Sequence, residues 1–122
     1  MAEPVDLIVC NGFTDWFDQL DTADQEKVRH YLELLEVQGL QLPHPYSSAI
    51  KQKSRHGPGL KELRVQARGR PLRVFYRFDA SRNAIILLGG DKTGHNEDRF
   101  YEEAVQVSDD IFDSWLAQQE TT

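Results

Sequence analysis

Between Leu63 and Phe78 the chain alternates apolar and polar residues twice, on either side of a short break. Leu63, Val65 and Ala67 interleave with Glu62, Arg64, Gln66 and Arg68, and Leu72, Val74, Tyr76 and Phe78 interleave with Arg73, Phe75 and Arg77. A period of two marks a strand with one face in a core and the other outside it. Gly69, Arg70 and Pro71 in the break supply turn chemistry, so the two runs predict an antiparallel hairpin. A two- or four-residue loop sets Arg64 opposite Phe75, while a three-residue loop shifts the neighbours. The alternation itself places Arg64, Arg68, Arg73 and Arg77 on one surface and the aliphatic residues on the other.

Other segments attach to this hairpin. Residues 5–9 open with alternation and predict a first strand, and Phe13 to Leu20 predicts a short helix with Thr14 as a candidate N-cap and Trp16, Phe17 and Leu20 buried. Thr22 and Gln25 fit a capping box, and Val28, Tyr31, Leu32 and Leu35 follow at helical spacing up to Gly39. Residues 40–59, rich in Pro and Gly, read as one long connection. AIILLGG at residues 84–90 suits a central strand, and the apolar positions from Phe100 to Leu116 recur at helical spacing. The predicted order is β-α-α-β-β-β-α. At 122 residues the chain fits a single domain, residues 1–122, with no internal repeat.

Charge is distributed unevenly. Residues 51–82 hold ten Lys or Arg against two acids, +8, and the remainder holds four basic and eighteen acidic residues, −14, within a net −6. Such asymmetry points to a polyanionic partner or to solvated loops of one sign. An aromatic, Phe75, lies amid the guanidinium groups of the hairpin, a combination that single-stranded RNA recognition uses because bases stack on rings while phosphates pair with cations. Lys51, Lys53, Arg55 and His56 in the preceding loop, with Lys61, Arg68 and Arg77, extend the candidate RNA-binding surface. The plain alternative is a solvated sheet face. Acids in DRFYEEAVQVSDDIFD similarly read as a solvated helix face or as local partners of the basic cluster.

Composition excludes other classes. No apolar run approaches the roughly 20 residues of a membrane helix, and the acidic N-terminus lacks a secretory pattern, so the expected location is the cytoplasm with no membrane partner. Cys10, the single cysteine, sits in an apolar run and reads as a buried thiol. The four histidines have no metal-ligand spacing, so neither metal nor cofactor is expected. Trp16, Phe17, Phe112 and Trp115 read as core.

Taken together, KQKSRHGPGLKELRVQARGRPLRVFYRFD, AIILLGGDKTG and RFYEEA, in this order and after DWFDQLD, resemble the RelE/ParE superfamily of bacterial toxins, specifically its HigB-like, phage-derived branch. The resemblance covers almost the whole chain. It implies an α+β, RelE-like fold: a small twisted antiparallel sheet with an N-terminal helical hairpin on one face, a concave basic opposite face and a C-terminal helix. It also implies the toxin of a toxin-antitoxin pair, typically a ribosome-dependent mRNA endonuclease held inactive by a cognate antitoxin, expected to be a helix-turn-helix DNA-binding protein encoded nearby. The expected partners are therefore that antitoxin, mRNA and the ribosome.

Such cleavage needs a proton taken from the RNA 2′-OH, stabilisation of the pentacoordinate phosphorus and a proton for the leaving 5′-oxygen. Arg64 and Arg73 are candidates for charge stabilisation, and His56, with an ordinary pKa of roughly 6.5, for proton transfer. Lys92 in GGDKTG is a candidate phosphate ligand or acid. Tyr101 sits where similar toxins carry a C-terminal aromatic near the scissile site. The alternating lysine pair of RelE-type toxins is replaced here by Leu60 and Glu62. HigB-like relatives look dependent on a histidine and an acid, for which His56 with Asp91 is the candidate pair. The alternatives are a ParE-type toxin that inhibits DNA gyrase without catalysis and an inactive RNA-binding module.

Overall fold

A computed structural model describes residues 2–120. Five strands, β1 (Leu7–Val9), β2 (Ser47–Ala49), β3 (Lys61–Ala67), β4 (Arg70–Phe78) and β5 (Ala84–Asp91), form one sheet in the order β1-β5-β4-β3-β2. Three helices accompany it, α1 (Asn11–Phe17), α2 (Thr22–Gln38) and α3 (Glu97–Glu120), with a 3-10 turn at Gly39–Gln41. The architecture is α+β and RelE-like. Two details depart from expectation. β1 runs parallel to β5, so the sheet is mixed, and the proline-rich connection contributes a short extra strand, β2, paired antiparallel with the edge of β3.

The hairpin turn consists of Arg68 and Gly69, one residue earlier than the sequence suggests. Both have positive φ, 52° and 80°, the pair of left-handed residues that a type I′ turn requires and whose twist matches the strands it joins. This turn pairs Ala67 with Arg70 and so sets Arg64 opposite Arg73 and Glu62 opposite Phe75, instead of Arg64 opposite Phe75. The parity is unchanged, so the strand residues face the sides that the alternation assigns them.

One face of the sheet presents Leu63, Val65, Leu72, Val74, Tyr76 and Ile86 to Phe13, Val28 and Leu35 of the first two helices. Their complete or near-complete burial is worth about 1.5–3 kcal/mol per large side chain. Helix α2 is capped by Asp21, whose carboxylate accepts from the Asp24 amide at 2.9 Å, and not by Thr22. Thr14 lies inside α1, which starts after Cys10. Gly89 lets the Trp16 indole lie directly on β5, since any Cβ there would overlap its ring.

The opposite face is not an open basic concavity: α3 lies on it. Tyr101, Ala104, Val105, Ser108 and Phe112 form its buried stripe, at the spacing expected of a helix with one apolar side. Val105 and Phe112 pack with Ile85, Leu87 and Leu60, and Tyr101 and Ala104 pack with Phe75. A register shift after Phe75, which pairs Phe75 with Leu88 but Tyr76 with Ile86, leaves Leu87 as an extra residue. This bulge turns both Leu87 and Leu88 toward α3.

Candidate active site

The polar side chains of β3 and β4 are led under the first turns of α3 by the strand period, and there they must find partners because water is excluded. Glu62 is the centre of that arrangement. Tyr101 donates from its hydroxyl to Glu62 Oε1 at 2.6 Å, and Arg73 Nε lies 3.3 Å from the same oxygen. Arg73 Nε also donates to the Tyr101 hydroxyl at 3.4 Å, and its Nη1 donates to the Leu72 carbonyl at 3.0 Å. Arg64 Nη1 approaches the other carboxylate oxygen at 3.4 Å. Glu62 thus stands between two arginines that face each other across the hairpin, an opposition that would otherwise be repulsive.

Glu62 and Tyr101 form the floor of a cleft of about 210 Å³ whose walls include Lys51, Arg64, Glu97 and Asp98. Burial, reinforced by the neighbouring carboxylate of Glu62 and opposed by Arg73, pushes the Tyr101 pKa up to about 12. The phenol is therefore neutral at physiological pH and acts as a proton donor. Lys92 lies beside it: its Nζ is 5.3 Å from the centre of the Tyr101 ring and 2.8 Å from Glu97 Oε1. Arg64, Arg73, Lys92 and Tyr101, scattered across 38 residues of sequence, are brought together here.

His56 is elsewhere. Its Nε2 is 2.7 Å from Asp113, and its ring meets Phe112 edge-on at 4.8 Å. Asp113 is twelve residues beyond Tyr101 on α3, about 18 Å along the helix. The pairing of His56 with Asp91 does not form, because Asp91 accepts from Arg70 at 3.1 Å. Residues 51–59 are also not a free basic arm. Ser54 Oγ and the Arg55 amide donate to buried Asp109 at 2.6 and 2.8 Å. Arg55 also pairs with Asp110 and Asp113 at 2.9 and 2.6 Å. From below, Arg77 donates to the carbonyls of Pro58 and Gly57 and to Ser54 Oγ, with its guanidinium 5.5 Å from the Phe112 ring. The acids of α3 are local partners of the basic loop.

The remaining candidates for RNA contact separate by burial. Lys51 lines the cleft, Lys53 is exposed and Lys61 is half-buried. Phe75 has no exposed surface and Arg77 almost none, so in this conformation neither offers a face to a base. Arg68, displaced to the turn, leaves the arginine surface and pairs with Asp21 and Asp24. Sequence reasoning passed over Glu62, noting it only as a missing lysine. The available signal was charge: an acid at a polar-face position among four arginines. Among the described residues, no three His, Cys, Asp or Glu side chains are grouped as a metal ion would require, and no helix is long and apolar enough to cross a membrane.

Comparison with known proteins agrees with the family resemblance read from the sequence. Residues 15–113 match the family described as "Phage derived protein Gp49-like (DUF891)". Two proteins of Mycobacterium tuberculosis (strain ATCC 25618 / H37Rv) are similar. "Putative toxin HigB3" is 35% identical over 102 residues, 84% of this chain and 85% of that protein. "Putative toxin HigB2" is 36% identical over 108 residues, 88% of this chain and 52% of that protein, so the match spans about half of the second relative's length. The chain belongs to the phage-derived Gp49-like family, the HigB-like branch of the RelE/ParE superfamily.

Proposed function

We propose that this chain is the toxin of a toxin-antitoxin pair and that it cleaves mRNA on the ribosome without a metal, using the cleft above Glu62 and Tyr101. The relatives named as toxins support the first part. The second rests on one observation: a neutral phenol donating at 2.6 Å to a buried carboxylate, flanked by two arginines.

In this reading Glu62 accepts the proton of the 2′-OH as that oxygen attacks phosphorus. Arg64 and Lys92 stabilise the charge that develops on the non-bridging oxygens, and Arg73 holds Glu62 and the Tyr101 hydroxyl in register. The P–O5′ bond breaks as Tyr101 gives its proton to the leaving oxygen, and Glu62 returns a proton to Tyr101 along their shared hydrogen bond. The products are a 2′,3′-cyclic phosphate and a 5′-hydroxyl, with no net change of proton count on the protein. His56 has no part in this scheme, because it is held beside Asp113, more than three turns along α3 from Tyr101. An antitoxin with an acidic segment would both neutralise the cleft cations and block RNA.

The test is to add the protein to translating ribosomes and map mRNA ends, for wild type, Arg64→Ala and Tyr101→Phe. Cleavage with cyclic-phosphate ends that both substitutions abolish is the expected result, and cleavage that survives both overturns the assignment. One observation favours a second, non-catalytic reading of the ParE type: α3 covers Phe75, Arg73 and Arg77, leaving a cleft small beside the few hundred Å³ usual for ligand sites. Inhibition of gyrase supercoiling without mRNA cleavage would establish that reading.

A further inference from the structure

Two acids of the cleft wall, Glu97 and Asp98, have no part in the proposed chemistry, and Glu97 is held among cations. Lys92 Nζ donates to its carboxylate at 2.8 Å. Lys51 and Arg64, from the loop and from β3, add attraction to the same carboxylate, which all three hold below its ordinary range, Lys92 most strongly. Lys92 itself is mostly buried, its side chain 17% exposed, whereas the Glu97 side chain is 69% exposed and free to swing toward water. The carboxylate therefore lies at the cleft that Lys51, Arg64 and Tyr101 line, paired with Lys92, and is itself mostly in solvent. A phosphate oxygen approaching Tyr101 would seek the same three cations and would meet a like charge already in place.

We propose that Glu97 is a resident anion occupying a phosphate subsite made by Lys51, Arg64 and Lys92, and that a phosphodiester must displace it to reach Tyr101 and Glu62. The idea rests on the nuclease reading of this cleft and adds a device that regulates it. The exchange is one anion for another on the same cations. A lone phosphate is a poor competitor because it gains little beyond what Glu97 already supplies. A nucleic-acid strand, attached at several points, bears the cost of displacement more easily. Glu97 thus acts as a threshold that favours long single strands over small phosphorylated metabolites. A role only in stabilising the first turn of α3 would not require three converging cations, and Asp98 in the same turn already supplies an acid there.

The test uses a probe that cannot be cleaved. A single-stranded oligonucleotide with 2′-O-methyl groups, and inorganic phosphate as its competitor, are titrated against wild type, Glu97→Gln, Glu102→Gln and Lys92→Met, and against Glu97→Gln with Lys92→Met, at one low ionic strength. Glu102 is exposed and outside the cleft, so its substitution removes the same charge elsewhere on α3. Glu97→Gln is expected to tighten both ligands by about threefold to tenfold, since a partly exposed ion pair no longer has to be broken. The gain for phosphate should exceed that for the oligonucleotide, Glu102→Gln should give less than half of it, and Lys92→Met should abolish it. Equal effects of Glu97→Gln and Glu102→Gln, or a gain that persists without Lys92, would overturn the proposal. mRNA cleavage is scored separately on ribosomes: failure to cleave by every variant refutes the nuclease reading, while the phosphate titration still decides the role of Glu97.

Discussion

Replacing Tyr101 with Phe removes one oxygen and leaves the ring on Phe75, so it separates the chemistry of the hydroxyl from the packing of α3. At neutral pH the loss is the 2.6 Å hydrogen bond to Glu62, worth about 1.5–3 kcal/mol, together with the longer 3.4 Å bond from Arg73. The lower end is expected because Glu62 keeps both arginines. At high pH the loss shrinks. The folded-state pKa of Tyr101 is raised to about 12 from the model-peptide value of 10.0. The unfolded chain therefore loses that proton first, and the stabilisation is complete below about pH 10 and disappears as pH rises through about 12. Two units correspond to about 2.7 kcal/mol, reduced to about 2 kcal/mol because the cleft admits some solvent. Tyr76, raised to about 12 by burial against the opposing effect of Ser47, behaves in the same way. Wild type should thus lose stability through two tyrosines and Tyr101→Phe through one, so the variant's deficit narrows or vanishes near pH 12. Urea unfolding across this range, with tyrosinate absorbance recorded in parallel, measures both quantities. An equal alkaline loss in the two proteins would refute the reasoning. On ribosomes, loss of the proton donor should slow cleavage by about 10²–10⁴, far more than a variant still folded at neutral pH can lose through instability.

Further outcomes follow from the packing. Gly89→Ala pushes a methyl into the Trp16 indole, and thermal unfolding should show a loss of about 1–3 kcal/mol. Arg70→Ala leaves the buried Asp24 carboxylate with Arg68 alone and should cost about 3 kcal/mol in denaturant unfolding; a neutral result would show that Arg68 suffices. Asp109→Asn weakens the anchor of Ser54 and Arg55, so protease should nick residues 51–59 faster while α2 stays protected. Acid should act on the same loop. Arg55 first, and His56, hold the Asp113 carboxylate below its usual range, so its contribution is present at neutral pH and is lost as pH falls through the folded value.

The hairpin was legible because a period of two over seven and nine residues leaves no other economical fold. Its turn was misplaced by one position because Arg68 accepts a positive φ that a non-glycine residue rarely adopts, and nothing in the letters marks it. Strand β2 was hidden for a different reason. Ser47–Ala49 has no strand pattern of its own and is ordered by the free edge of β3. The stripe of α3 was visible, but periodicity says only that a helix face is buried, not what covers it. The polar face of the hairpin therefore appeared open when it is covered. The same gap explains His56 and Asp91: charge partners follow from which surfaces meet in space, and both residues found nearer ones.

The segregation of charge has a structural consequence within the fold. The acids of α3 face a basic loop and a basic sheet surface, and most of the pairing runs along its middle turns, at Asp109, Asp110 and Asp113. Cations spent there secure the helix to the sheet and are not available to a ligand. Toward the first turn the balance changes, for Lys51 and Arg64 line the cleft above Glu62 and Tyr101, and Lys92 beside it pairs with the exposed carboxylate of Glu97. A strand of RNA would accordingly engage the edge where α3 begins and not the sheet beneath it, so affinity should respond to Lys51, Arg64 and Lys92 and be nearly indifferent to Arg77. Arg77→Met offers the contrast. It frees the loop carbonyls and lowers stability, yet on the proposed reading it leaves the salt dependence of oligonucleotide binding unchanged, whereas each of the three cleft cations contributes to that slope. A slope that falls with Arg77→Met would mean that α3 lifts from the sheet when RNA binds.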